Sequence, residues 1–134
     1  MTRRLFASLA GVICALSLEG RAMAETPSTP IANAKVVRIA ELEIDPAQLD
    51  KYTAAVKEEM DISVRTEPGV LAIYSVAEKD NPSKLRFFEI YADEAAYQAH
   101  IQSPHFRTYY ETTKAMITSR KLIETTPVLL AAKP

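Results

Sequence analysis

Two hydrophobic periods alternate along residues 35–131 and predict the elements of one folded domain. In KVVRIAELEI, residues 35–44, Arg38 is the one polar residue on the face that carries Val36, Ala40, Leu42 and Ile44, as in a half-buried strand. Asp45-Pro46 supplies a cap and a first-turn proline. The helix it opens repeats Leu49, Tyr52, Val56, Met60 and Val64 at spacings of three and four, a stripe expected to be buried. Glu67-Pro68-Gly69 stops it. VLAIYSVAE (70–78) and KLRFFEIYA (84–92) read as a second and a third strand, joined by the turn residues KDNPS. Asp93 caps a second helix that carries Tyr97, His100 and Ile101 on one face. Ser103-Pro104 repeats the cap-and-proline signal, so this helix breaks and restarts, with Phe106, Tyr109, Tyr110, Thr113, Met116 and Ile117 along one side. KLIETTPVLLAA (121–132) closes as a fourth strand, where Pro127 points to an edge position or a bulge.

The order β-α-β-β-α-β is the split βαβ, ferredoxin-like arrangement of an α+β domain. Its helices cover one face of a four-stranded sheet. The second strand is nevertheless apolar on both sides, Val70, Ala72 and Val76 against Leu71, Ile73 and Ala77. The third sets Leu85, Phe87, Glu89 and Tyr91 against Arg86, Phe88 and Ile90. An uncovered apolar sheet face calls for a partner, and a two-fold homodimer with its sheets packed face to face, a dimeric α/β barrel, supplies one.

Residues 1–34 lie outside this pattern. MTRR is a basic start, LFASLAGVICALSL is an apolar run of 14 residues, and Ala22 and Ala24 stand in the small-residue pattern before a signal cleavage site. Residues 1–24 therefore read as a secretory signal cut before Glu25, with a retained amphipathic anchor as the alternative. Ile13 before Cys14 argues against a lipoprotein signal. The polar, proline-rich residues 25–34 read as a flexible leader. The product is expected to be secreted, in a bacterial periplasm, with no stable membrane insertion once the signal is cut.

Cleavage changes the chemistry available. The only cysteine, Cys14, leaves with the signal, so no disulfide, thiol nucleophile or cysteine ligand remains. Three of the 16 basic residues and one of the 17 acidic ones leave too, and the remaining charge is mildly acidic and interspersed. That gives no basic stripe for nucleic acid. Gly69 is the last glycine, too few for a dinucleotide fingerprint or a phosphate-cradling loop.

Candidate chemistry concentrates in EIYADEAAYQAHIQSPHF, residues 89–106, which holds both histidines of the chain. If the second helix covers the Glu89 face, then Glu89, Tyr91, Tyr97 and His100 converge in a mostly apolar space. A buried carboxylate near an imidazole there is the kind of pair whose pKa values shift at functional sites. The structural counterpart is a Glu89 ion pair with Arg38 or Arg107 and a satisfied core histidine at 100. His105 takes the second position of the restarted helix, where free amide N–H groups and the positive dipole end oppose an imidazolium. That biases the ring toward its neutral, proton-accepting form; the alternative is a solvent-exposed residue near a cap. The two histidines with Glu89 have the composition of an iron site with two histidines and one carboxylate. Five residues across a helix break is not the four-residue spacing that aims two imidazoles at one ion, so no metal is expected. Tyr52, Tyr74, Phe87, Tyr91, Tyr97, Phe106 and Tyr109 are core residues by default, and would also suit a planar aromatic ligand.

NPSKLRFFEIYADEAAYQAHIQSPHFRTYYETTKAMI, residues 81–117, resembles the antibiotic biosynthesis monooxygenase domain family, including its quinol-monooxygenase-like members. The strand ending in Glu-x-aromatic, the acidic helix start and AHIQSPHF carry the resemblance. EIDPAQLDKYTAAV and TEPGVLAIYSV resemble the family's first helix entry and second strand. The resemblance implies the same fold, a face-to-face homodimer and a pocket between helices and sheet. Some members there oxygenate phenols or hydroquinones with dioxygen and no flavin, haem or metal. Carried across by motif, His100 or His105 is the proton acceptor, Glu89 its partner, and Tyr91 a pocket wall or phenol donor. Tyr74, Phe87, Tyr97, Phe106 and Tyr109 are the expected substrate-pocket aromatics. The haem-degrading branch is similar too, but Ala40, Tyr91 and Tyr110 stand where it has asparagine, tryptophan and histidine. The expected function is cofactor-independent monooxygenation of a small hydroxylated aromatic or quinol. The alternatives are a non-catalytic binding protein for small hydrophobic molecules and an isomerase using the same acid/base pair.

Overall fold

The computed structural model describes residues 30–133, so the expected signal sequence and its expected cut lie outside the described residues. Four strands, β1 (Val36–Ile44), β2 (Val70–Glu78), β3 (Asn81–Tyr91) and β4 (Ile117–Thr125), form one sheet in the order β2-β3-β1-β4. Every neighbouring pair is antiparallel. Helix α1 (Leu49–Thr66) connects β1 to β2, and the broken pair α2 (Glu94–Gln102) and α3 (Pro104–Thr113) connects β3 to β4. This is the ferredoxin-like βαββαβ fold. No helix among the described residues is long and apolar enough to cross a membrane.

The local signals act where the sequence places them. Asp45 accepts from Ala47 N at 2.9 Å, although Pro46 opens a short 3-10 turn (Pro46–Gln48) before α1 proper. Asp93 caps α2 by accepting from Ala96 N, and Ser103 caps α3 by accepting from Phe106 N. The break at Ser103-Pro104 turns what would be one helix into two of about three turns each. Under these helices lies the core: Ala40, Leu42 and Ile44 of β1, Leu85 and Phe87 of β3, and Tyr52 and Val56 of α1. Each of the larger side chains contributes about 1.5–3 kcal/mol on leaving water.

Three expectations need correction. The buried stripe of α1 is Tyr52, Val56, Glu59 and Ser63, whereas Val64 is 46 % exposed. Leu49, Tyr52, Val56 and Met60 of the expected stripe do pack on the core, but its last position gives way to Ser63, which bonds Glu59 one turn earlier in the helix. The third helix ends at Thr113, whose hydroxyl donates back to the Tyr109 carbonyl. Ile117 is already the first residue of β4, held by pairing with β1 from Ile44↔Ile117 to Val37↔Thr125, so Pro127 falls beyond the strand. Finally, part of the leader is structured: residues 30–33 form a 3-10 turn. Ile31 and Ala34, with Leu71 and Leu130, pack on Val37, Ala72 and Ile90 on the face of the sheet away from the helices.

A bulge in β2 decides which of its side chains face the helices. Val70 faces Tyr91 and Ala72 faces Ile90, so Leu71 is an extra residue and the alternation of β2 shifts by one. Ile73 therefore joins Phe87 and Glu89 under the helices, while Tyr74 pairs with Phe88 on the outer face.

Gly69 shows how closely α2 seats on the start of β2. A Cβ added there would lie 2.4 Å from Cβ of Ala96. The glycine is needed for close approach and not for its backbone angles, since no glycine among the described residues has positive φ. Gly69→Ala should destabilise the fold by about 1–3 kcal/mol. Adding Ala96→Gly should recover part of the loss in a denaturant melt; no recovery would mean that the contact is not what Gly69 provides.

Candidate active site

Glu89 and Tyr91 leave β3 on the helix-covered face, and α2 lowers Tyr97 and His100 onto them. Tyr91 is fully buried and its hydroxyl donates to Glu89 Oε2 at 2.9 Å. Its ring centroid lies 5.3 Å from that of Tyr97 and 5.4 Å from that of His100. The four residues brought together by strand and helix periodicity thus do meet. Their pairing differs from the expectation: the carboxylate bonded to His100 is not Glu89. Arg38, the other partner considered for Glu89, turns instead to Glu94 at 3.0 Å and lies over the Tyr97 ring.

The partner of both histidines is Glu67, the residue just past the end of α1. Its Oε1 lies 3.0 Å from His100 Nδ1 and 2.6 Å from His105 Nε2. A carboxylate oxygen accepts, so each ring presents an N–H there, and His100 is left with a bare Nε2 whenever it is neutral. Burial pushes the Glu67 carboxyl up, but the hydrogen bonds and positive potential from His100 and His105 outweigh it and hold Glu67 below the usual carboxylate range. His105 is thus neither solvent-exposed nor on the same cavity as His100.

On its other side His100 Nε2 lies 3.7 Å from Glu59 Oε1, a buried carboxyl of α1. Burial raises the Glu59 pKa, against the opposing effects of Ser63 and the histidines. Ser63 Oγ lies within hydrogen-bond distance of both Glu59 Oε1, at 2.7 Å, and the Glu59 carbonyl, at 2.9 Å, and its one hydrogen serves either acceptor. Burial likewise raises Glu89, more than the Tyr91 hydroxyl lowers it.

These groups edge a cavity of about 100 Å³ between helices and sheet. Glu59, Glu89 and His100 form one polar part of its lining, and Arg120 is its one basic residue with a permanent charge. Phe87, Tyr97, Phe106 and Tyr109 line it as expected. Tyr52 OH and Tyr109 OH are 2.7 Å apart and tie α1 to α3 beside it, and burial raises both phenols. Tyr91 stands behind Glu89 without reaching the cavity surface, and His105 opens instead on a second cleft, shared with Glu59, Thr108 and Tyr109. Tyr74, expected in the pocket, is on the opposite face of the sheet and 56 % exposed, because the bulge at Leu71 shifts its side.

Residues 35–112 match the family described as antibiotic biosynthesis monooxygenase. A solved structure from Bacteroides thetaiotaomicron, provisionally assigned as an antibiotic biosynthesis monooxygenase, is 47 % identical, with a TM-score of 0.72 over 77 % of this chain and 98 % of that one. The chain belongs to the antibiotic biosynthesis monooxygenase family. A provisionally assigned monooxygenase from Lactobacillus acidophilus is 36 % identical, with a TM-score of 0.67 over 71 % of this chain and 45 % of that one. A Nitrosomonas europaea structure at 20 % identity, TM-score 0.67, over 72 % of this chain and 92 % of that one, shares the fold. No curated protein matches the chain.

Within this antibiotic biosynthesis monooxygenase domain, two functional candidates escape a linear reading of the sequence. Glu67 sits in a helix-stop signal, and its partners are 33 and 38 residues away. Glu59 was hidden by its polarity, although Glu59 and Ser63 lie on the same face as Tyr52 and Val56. The helix break has a further effect. Glu59, His100 and His105 each offer a ligand atom, all within 4.8 Å of one another, so the residues able to share a metal ion include Glu59 and not Glu89.

Glu59→Gln and Glu67→Gln should show opposite pH signatures. The depressed Glu67 stabilises the fold above the unfolded glutamate pKa and loses that contribution as pH falls through its folded value. Its loss should cost about 1–3 kcal/mol near neutrality and less in acid. The raised Glu59 favours the fold most in acid and loses that contribution as pH rises through its folded value. Glu59→Gln should therefore melt higher than the wild type toward about pH 8, the gain vanishing near about pH 4. Melting temperatures across that range read both slopes, and parallel curves for the two variants would contradict the assignments.

Proposed function

We propose that this monooxygenase-family protein oxygenates a small hydroxylated aromatic or quinol with dioxygen, using His100 as the base and no flavin, haem or metal. The observation that carries the reading is the setting of His100, a residue of the cavity lining: Nδ1 on Glu67 and Nε2 3.7 Å from Glu59, which lines the same cavity. A carboxylate that holds one imidazole nitrogen leaves the other free to accept a proton and stabilises the imidazolium that forms. In the proposed step a phenolic O–H gives its proton to His100 Nε2. The electron-rich phenolate passes an electron to dioxygen, the resulting pair joins through a ring C–O bond, and water leaves. One hydroquinone and one dioxygen give one hydroxyquinone and one water, so the substrate supplies all four electrons. Glu67 is a positioning residue. Glu59 and Glu89, with raised pKa values, are suited to hand protons to the departing oxygen. His105 shares Glu67 and acts through it.

We also propose that two copies pack through the outer sheet face. Tyr74, Val76 and Phe88 there are 56 %, 62 % and 38 % exposed, next to the Val37–Ala72–Ile90 cluster. Export to a periplasm, with cleavage before Glu25, remains part of this reading.

Oxygen uptake with a panel of hydroquinones, corrected for autoxidation, should persist after exhaustive chelation. It should fall about 100-fold or more in His100→Ala and less in His105→Ala. Loss on chelation with recovery on adding a metal would instead move the chemistry to Glu59, His100 and His105. Absence of uptake, with proton exchange on the substrate, would indicate the isomerase; binding alone would indicate a carrier. For the interface, Phe88→Glu should convert dimers to monomers in sedimentation, and a monomeric wild type would refute the pairing.

A further inference from the structure

The cavity is small for a ligand. Its volume of about 100 Å³ accommodates little more than one ring, below the range of about 300–1,000 Å³ typical of small-molecule sites. A larger ligand must therefore leave part of itself outside. Outside the cavity lies a vestibule that shares Ile101, Phe106, Tyr110 and Arg120 with it. Arg107 and Glu111 complete the vestibule.

The two arginines there are distinctive. Among the described residues, the other arginines are all paired: Arg38 with Glu94 and Glu124, Arg65 with Asp61, Arg86 with Glu78 and Glu41. Arg107 and Arg120 form no ion pair among these residues, and Arg120 only lies over the Tyr110 ring, 5.9 Å from its centroid. The one vestibule carboxylate, Glu111, is already paired with Lys114. The mouth thus has two uncompensated guanidinium groups on a chain whose overall charge is slightly negative. The inner wall differs, with two carboxyls and an imidazole. A permanent anion is better placed beside the guanidinium groups of the mouth than beside those carboxyls, and this difference orients a ligand.

We propose that the substrate is a hydroxylated aromatic bearing an anionic substituent, held by Arg107 and Arg120 while its hydroxyl enters the cavity toward His100. The proposal rests on the reading of the cavity as the substrate site and adds the substrate's charge. Guanidinium groups suit a planar carboxylate through paired N–H donors and also accept a phosphonate or phosphate. The arrangement fixes which end of the molecule goes in first.

Calorimetric titration of the full chain with redox-stable phenols tests it without turnover. The probes are 4-hydroxyphenylacetate, its neutral methyl ester and 4-hydroxybenzylphosphonate. The acid should bind about tenfold tighter than the ester, with the preference shrinking as salt rises. Arg107→Gln and Arg120→Gln should each remove about threefold to fivefold of that preference, and Arg107→Gln, outside the cavity lining, should leave ester binding unchanged. Arg120→Lys, which keeps the charge, should retain part of it. A tighter phosphonate than carboxylate would assign the dianion as the preferred substituent and support the same site. Equal affinity for acid and ester, or a preference indifferent to both arginines, overturns the vestibule proposal while leaving the cavity reading intact. Binding of none of the three probes overturns both.

Discussion

Oε1 of Glu67, bonded to His100 Nδ1 and His105 Nε2, joins the end of α1 to both halves of the broken second helical segment. Three helices converge on one atom. A single unbroken helix could not deliver both rings to that point, because residues five apart face different directions around it. The Ser103-Pro104 break supplies the change of direction, with Ser103 ending α2 and capping α3. The orientation of His100, its tautomer and its approach to Glu59 all follow from this shared acceptor.

The cost of the arrangement is buried polarity. Glu59 and Glu89 lie where ionisation is opposed by burial, and no buried side-chain polar atom among the described residues lacks a hydrogen-bond partner. Satisfaction is local: Ser63 for Glu59, Tyr91 for Glu89, and Tyr52 with Tyr109 for each other. Such pairs keep the cavity wall polar without loosening the core, since a hydrogen-bonded buried group avoids most of the desolvation penalty.

The fold was largely legible in the sequence because its periodicities are strong. Strand parity placed Glu89 and Tyr91, helix spacing placed His100, and cap-proline pairs placed the helix starts. The site was legible only in part. Tyr74 was misplaced because one extra residue, Leu71, inverts a count of two, and alternation carries no mark of a bulge. Glu59 was missed because burial was equated with apolarity, although its bond to Ser63 makes it a core residue. Glu67 was missed because its role depends on tertiary closure, and the motif around it is fully explained by ending a helix. The start of β4 was misjudged because Met116 and Ile117 continue a helical stripe as well as they begin a strand.

β4 borders the sheet with β1 on one side only, and it carries Arg120 and Leu122 toward the cavity. The mouth is therefore written largely on exposed positions of an edge strand and of α3, whereas the wall of carboxyls and imidazole is written on α1, α2 and the interior of β3. Substitutions at exposed positions generally change stability by less than about 0.5 kcal/mol. Descendants of this chain could exchange mouth residues at little cost in stability while inheriting the same polar interior. The fold thus separates what can drift from what must be kept, and diversification has an inexpensive route through one margin of the sheet.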